Sequence, residues 1–265
     1  MAERDILRNT VKDKLARGEV VASMTVRLVR NVEIASIAKT AGFDTLYIDV
    51  EHSSFSLETT SQICIAALAV GIAPFVRVPS IRPEHVGRVL DGGALGVIAP
   101  HIRSAEEARA VVRAAKFAPL GERSAAGGLP HLQYRSVPPA EANAALNDAT
   151  MVVVQCESAE FLDRADEIMA VEGVDMALIG TNDLLADWGL TGQYEHARVR
   201  DAYQRVIAAA KKHGKHVGVG GLATRPKLAA ELVRMGARYV STGTDLAFLL
   251  AACSEKAKEV REMAI

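Results

Sequence analysis

Glu157, in VVVQCES (152–158), and Asp183, in LIGTNDL (178–184), each follow a short run of β-forming residues, so both carboxylates fall at the C-terminal ends of expected strands. A helical stretch, FLDRADEIMA (161–170), lies between them and assigns them to consecutive strand–helix units. In a parallel α/β barrel that end of the strands is where substrates and metals bind. Two carboxylates in one pocket are oxygen ligands for a hard divalent cation with open coordination positions, and such an ion can polarise a carbonyl or phosphoryl oxygen as a Lewis acid. The competing reading is local: each carboxylate caps its following helix, and Asp183 before LLADWG is suitably placed to do so.

Positioning these groups needs a regular scaffold, and the chain supplies one. From Val20 onward, short apolar runs alternate with amphipathic segments of helix length. The expected strands are VVASMTV (20–26), TLYIDV (45–50), APFVRVP (73–79), LGVIAP (95–100), MVVVQCE (151–157), MALIG (176–180), KHVGVGG (215–221) and YVSTGT (239–244). Most are apolar throughout, as strands buried on both faces must be. Helix punctuation falls between them: Ser56 and Gly71 bound one helix, Ser104 caps EEARAVVRAAKFA, and Pro226 opens a helix that Gly236 ends. Eight such units spell a (β/α)8 TIM barrel over residues 1–265, preceded by an N-terminal helix. The segment 119–150 is far longer than the ~2–6 residues usual for such connections, and reads as an active-site lid or interface arm with a short helix around 139–146.

Composition limits the partners. With 31 basic and 32 acidic residues and no block of one sign, nothing points to nucleic acid or a membrane surface. No apolar run approaches the ~18 residues of a membrane span, and the charged N-terminus lacks a signal-peptide core. Cys64, Cys156 and Cys253 are widely spaced in apolar contexts, form no CxxC pair, and suit a reducing cytoplasm.

GFDTLYIDVEHSSFS (42–56), FVRVPS (75–80), LDGGALGVIAPHI (90–102), GERSAAG (121–127) and VEGVDMALIGTNDLLADWG (171–189) resemble the metal-dependent class II pyruvate aldolases of the 4-hydroxy-2-oxoheptanedioate aldolase family, part of the phosphoenolpyruvate/pyruvate barrel superfamily. The similarity runs from about residue 20 to 250. It implies reversible aldol addition and cleavage between a 2-oxo acid, such as pyruvate or hydroxypyruvate, and an aldehyde, through a metal-stabilised enolate. It also implies a divalent ion, Mg²⁺ or Mn²⁺, with Co²⁺, Ni²⁺ or Zn²⁺ as other ions such sites accept.

By this resemblance Glu157 and Asp183 are the metal carboxylates, His52 is the base in proton transfer, and Arg77 stabilises the enolate oxygen. The residues agree: a free imidazole titrates near pH ~6.5, and a guanidinium in an otherwise apolar strand demands an anionic partner. For Arg77 that partner is also available locally, in Asp49 or Glu51. Gln155 shares a strand face with Glu157 and is expected to touch substrate, while the turn of Gly180, Thr181 and Asn182 presents main-chain N–H groups to the 2-oxo acid's carboxylate. The family more often has proline and alanine where Thr181 and Asn182 stand. Leu222 is expected to line the aldehyde side, and Arg123 to contact a substrate carboxylate or brace the lid. His101 and His131 fall near the expected mouth; His85, His196, His213 and His216 read as solvated.

Asp91 matches the residue that raises the histidine's basicity, yet it ends the helix after the third strand and so belongs at the opposite face of its own barrel. The expectation is that it reaches His52 of a neighbouring subunit; the alternative is an acidic residue before the Gly92–Gly93 helix stop. The segment 245–265, apolar then charged, resembles a last helix that packs on a neighbour in trimers or hexamers, or else closes its own barrel. Three rival functions remain: a Schiff-base aldolase, for which no strand interior offers a lysine; an acyl-CoA lyase of the same superfamily; and a non-catalytic barrel that binds a 2-oxo acid.

Overall fold

The computed structural model describes residues 6–263. Strands β1 (Val21–Val26), β2 (Thr45–Asp49), β3 (Ala73–Arg77), β4 (Gly96–Ala99), β5 (Met151–Cys156), β6 (Met176–Gly180), β7 (His216–Gly220) and β8 (Tyr239–Thr244) pair in parallel in sequence order, and β8 closes on β1. All eight expected strands are present. This is the (β/α)8 TIM barrel.

Side chains alternate across a strand, so every second residue enters the barrel. Tyr47, Phe75, Ile98, Val153, Leu178 and Tyr239 make one apolar interior cluster with Val11 and Leu15 of α1 (Thr10–Ala16), which plugs the N-terminal end. Asn9 fixes that plug: it caps α1 and donates its amide to Leu95 O and Ala149 O, just ahead of β4 and β5. One pleat further along the same faces stand Asp49, Arg77, Gln155 and Gly180. Thus the polar layer at the mouth rests on an apolar, aromatic floor.

The outer ring comprises α2 (Glu33–Thr40), α3 (Leu57–Val70), α4 (Pro83–Asp91), α5 (Ala105–Ala115), α6 (Pro139–Ala149), the pair α7 (Ala159–Asp163) and α8 (Ala165–Met169), α9 (Thr181–Asp187), α10 (Ala197–Lys212), α11 (Pro226–Met235) and α12 (Asp245–Glu262). The expected caps hold. Ser56 and Gly71 bound α3, and Ser104 with Glu107 forms a reciprocal capping box on α5.

Two expectations change. The 119–150 segment contains the expected short helix, α6, but it is no lid on its own barrel. It joins a helix to the next strand, and such connections return to the strands' N-terminal ends. There His131 Nε2 donates to Ala94 O at 2.9 Å, and Asn147 pairs with both the amide and carbonyl of Phe117. His131 is therefore a base residue and not a mouth residue; burial pushes it down to about 4, leaving a neutral packed ring. The second change concerns α12. Only Asp245 of that helix is buried, while Leu246, Phe248, Leu249 and Leu250 face solvent, so it does not close its own barrel.

Candidate active site

A cavity of about 460 Å³ opens at the C-terminal ends of the strands. Arg27, Asp49, His52, Arg77, Gln155, Gly180, Asn182 and Asp183 are among its lining residues. Glu157 sits one residue beyond β5, buried, and Asp183's negative charge acts on it directly. The structure thereby brings the two carboxylates to one place. Neither is a helix cap: Ser158 caps α7, and Gly180 occupies the N-cap position of α9.

Glu157 is held by its neighbours. His101 donates its main-chain N–H to Glu157 Oε2 at 2.9 Å, and its Nδ1 lies 3.1 Å from the same oxygen. To do so His101 adopts a left-handed backbone, φ 57°, a conformation uncommon for a residue with a Cβ. Its Nε2 meets Glu51 Oε1 at 2.7 Å. Burial raises the Glu157 carboxyl above the ordinary range; the His101 amide and ring oppose this, and Asp183 and Glu51 add to it. A Cβ on Gly180 would lie 2.9 Å from Glu157 Cγ, so only glycine lets this carboxylate lie against β6.

Arg77 is a neutralised cation. Its Nε and Nη2 donate to the two oxygens of Asp49 at 2.9 and 2.7 Å, and Nη1 lies 2.8 Å from Glu51 Oε2. Burial alone would weaken its charge, but Tyr47, Asp49 and Glu51 outweigh that and raise its pKa. Asp49 also accepts the amides of Glu51 and His52, which fixes the turn carrying the histidine. His52 itself is half exposed at the cavity edge.

The arrangement fits a divalent cation. Four acidic side chains (Asp49, Glu51, Glu157, Asp183) face two guanidinium groups (Arg27, Arg77). Gln155 adds a buried amide oxygen without a hydrogen-bond partner among the described residues, aimed at the cavity it lines. No group of three or more His, Cys, Asp or Glu side chains placed to hold a metal ion occurs among the described residues.

Other expected site residues lie elsewhere. The Thr181 hydroxyl points inward, donating to Gly220 O at 2.8 Å and accepting from Tyr203 at 3.0 Å, so only its main chain faces the mouth. Leu222 is buried in the outer core beside α11, not at the aldehyde side. The cause is Gly221, whose φ of 78° breaks strand alternation and turns the next side chain outward. Arg123 is at the base, where its Nη2 donates to Asp91 Oδ1 at 2.7 Å over the Phe117 ring. Asp91 ends α4, away from its own His52, as its position in the chain implies.

Sequence reasoning missed Arg27, Thr25, Tyr194 and Ser241 as lining residues, and did not foresee that His101 and Glu51 clamp Glu157. For Arg27 the signal was available: it follows the apolar run VASMTV just as Glu157 and Asp183 follow theirs.

Residues 24–252 match the family model described as HpcH/HpaI aldolase/citrate lyase. The chain is 44% identical over 223 residues to a 4-hydroxy-4-methyl-2-oxoglutarate aldolase of Hapsidospora irregularis, covering 83% of this chain and 82% of that protein. It is 32% identical to a hydroxypyruvate/pyruvate aldolase of Roseovarius nubinhibens, covering 91% and 92%. The crystal structure of an HpcH/HpaI aldolase from Desulfitobacterium hafniense superposes with a TM-score of 0.90 at 33% identity, covering 97% of each chain.

Proposed function

The chain belongs to the HpcH/HpaI aldolase/citrate lyase family, and from that premise we propose that it is a divalent-metal-dependent class II aldolase joining a 2-oxo acid to an aldehyde, and cleaving the product in reverse. The observation that carries this reading is the pairing of buried Glu157 with Asp183 at a mouth where acidic side chains outnumber guanidinium groups. Relatives named for pyruvate, hydroxypyruvate and 2-oxoglutarate derivatives support the donor class. An acyl-CoA lyase is the less favoured alternative.

Glu157 and Asp183 would hold the ion, Mg²⁺ or Mn²⁺, which when bound supplies Lewis-acid polarisation of the ketone. The first-turn amides of α9, from Thr181 to Asp183, are unpaired within the helix and receive the donor carboxylate. Gln155 offers its free amide oxygen to the same ligand shell or to substrate. His52, on a turn fixed by Asp49, accepts the C3 proton and later returns it. Arg77 stays a fixed cation where negative charge develops, oriented beforehand by its three-point hold on Asp49 and Glu51.

We further infer a homo-oligomer, a trimer or hexamer. An apolar groove of about 580 Å³ between α11, β7 and β8, lined by Leu222, Ala229, Val233 and Val240, lies beside a last helix that leaves its leucines exposed. The fitting occupant is α12 of a second copy, and in such an assembly Asp91 of one subunit would meet His52 of the next. Free thiols at Cys64, Cys156 and exposed Cys253 suit a cytoplasmic, reducing compartment.

The test is exchange of pyruvate methyl protons in D2O, followed by NMR with Mg²⁺ or Mn²⁺ and again with chelator. Exchange that chelator abolishes is expected; its absence under every divalent ion overturns the aldolase reading in favour of a binding barrel.

A further inference from the structure

We propose that Arg27 is the specificity residue for the acceptor, forming a subsite for a carboxylate carried by the incoming aldehyde or ketone. The proposal rests on the aldolase reading above. It starts from an inequality between the two arginines of the mouth. Arg77 has two edges of its guanidinium engaged by Asp49 and Glu51 and is nine-tenths buried. Arg27 is 40% exposed; its Nη2 donates to His52 O at 2.9 Å, its Nε lies 3.4 Å from an Asp49 oxygen already claimed by Arg77, and Nη1 has no partner among the described residues. It is the more open cation of this cavity, with Nη1 left for a ligand.

Arg27 is also held in place. The buried Asp245 carboxylate accepts the main-chain amides of Arg27, Leu28 and Val29 at 3.0, 2.9 and 2.8 Å, so the loop after β1 is fixed and the guanidinium is tethered to the base's own carbonyl. Strand order then gives the direction. Glu157 and Asp183 follow β5 and β6, across the barrel from β1, and His52 stands beside Arg27 after the adjoining β2. A donor bound on the β5–β6 side presents its reacting carbon toward His52, and whatever adds to it approaches from the β1–β8 side. That wall carries Arg27 with the hydroxyls of Thr25 and Ser241, and no large apolar side chain. A polar acceptor with an anionic end fits this wall. A guanidinium recognises a carboxylate with two parallel donors, a geometry an ammonium does not reproduce.

The experiment compares glyoxylate, a carboxylate-bearing aldehyde, with glycolaldehyde, its neutral counterpart of similar size, as acceptors for pyruvate. Steady-state kcat/KM is measured for the unmodified protein, Arg27→Gln and Arg27→Lys, with the thermal midpoint of each variant as a folding control. The expected result is a fall in the glyoxylate-to-glycolaldehyde ratio of roughly 10- to 100-fold in Arg27→Gln, mainly through KM for glyoxylate, and partial recovery in Arg27→Lys. An unchanged ratio, or equal losses for both acceptors in either variant, overturns the proposal and leaves Arg27 as a support for His52. Pyruvate proton exchange in the unmodified protein separates the two failures: without metal-dependent exchange the aldolase reading falls, whereas exchange with an unmoved ratio sinks the acceptor subsite alone.

Discussion

Arg77 at the mouth and Lys116 at the base are both buried cations of one barrel, and their surroundings treat them in opposite ways. Arg77 meets two carboxylates and its charged form is favoured. Lys116, which follows α5, donates its Nζ to the main-chain carbonyls of Asn147 and Thr150, closing the C-terminal end of α6; with burial dominating, its pKa drops to about 8. Dipoles suffice where the charge has only a structural task. At the mouth, acidic side chains outnumber guanidinium groups, a balance that suits the proposed divalent ion.

Breaking the mouth should cost most. Glu157→Gln or Asp183→Asn is expected to lower metal-dependent pyruvate exchange by roughly 10³-fold and to abolish the rise in thermal midpoint on adding Mg²⁺. Without metal the sign reverses for stability. The folded Glu157 carboxyl is raised by burial, so its contribution is fully present below the unfolded value and is lost as pH rises through the folded one. Metal-free Glu157→Gln should therefore be at least as stable as the unmodified protein at neutral pH, by denaturant unfolding.

Arg77→Met removes the main cation beside the buried Asp49 and Glu51 carboxylates. The expected loss is about 3–5 kcal/mol of stability, with exchange down by about 10²-fold in whatever folds.

Lys116 sharpens the contrast through pH. The folded protein gives up this proton near 8, whereas the unfolded chain holds it to about 10.5, so between those values the unfolded state binds more protons and stability rises with pH. Lys116→Met should remove a rise of about 3 kcal/mol between pH 7.5 and 10.5, measured as the difference from the unmodified protein in denaturant midpoints.

The smallest effect comes from Gly180→Ala. Its new methyl group would meet Glu157 Cγ at 2.9 Å and push that side chain aside without removing a ligand, so ion affinity by calorimetry should fall about 10-fold while the ion remains bindable at higher concentration.

The barrel was legible because eight runs of apolar residues at strand length have no other way to bury both faces, and because Ser56, Gly71, Ser104, Pro226 and Gly236 mark helix ends in the chain itself. Glu157, Asp183 and Arg77 were legible as charges breaking those runs. What the chain hid depends on three-dimensional closure. The 119–150 segment looked like a lid by length, but its end of the barrel follows from being a helix-to-strand return. Leu222 was misplaced because one positive φ at Gly221 inverts alternation, and the Glu157 clamp joins His101 to Glu51 across 50 positions.

The central claim is a cation bridging Glu157 and Asp183, and a crystal structure grown with Mn²⁺ and pyruvate tests it most directly. The account expects an anomalous manganese peak contacting an oxygen of each carboxylate, with pyruvate completing the shell and its methyl group turned toward His52. Manganese lodged elsewhere, with the two side chains unligated, would contradict it.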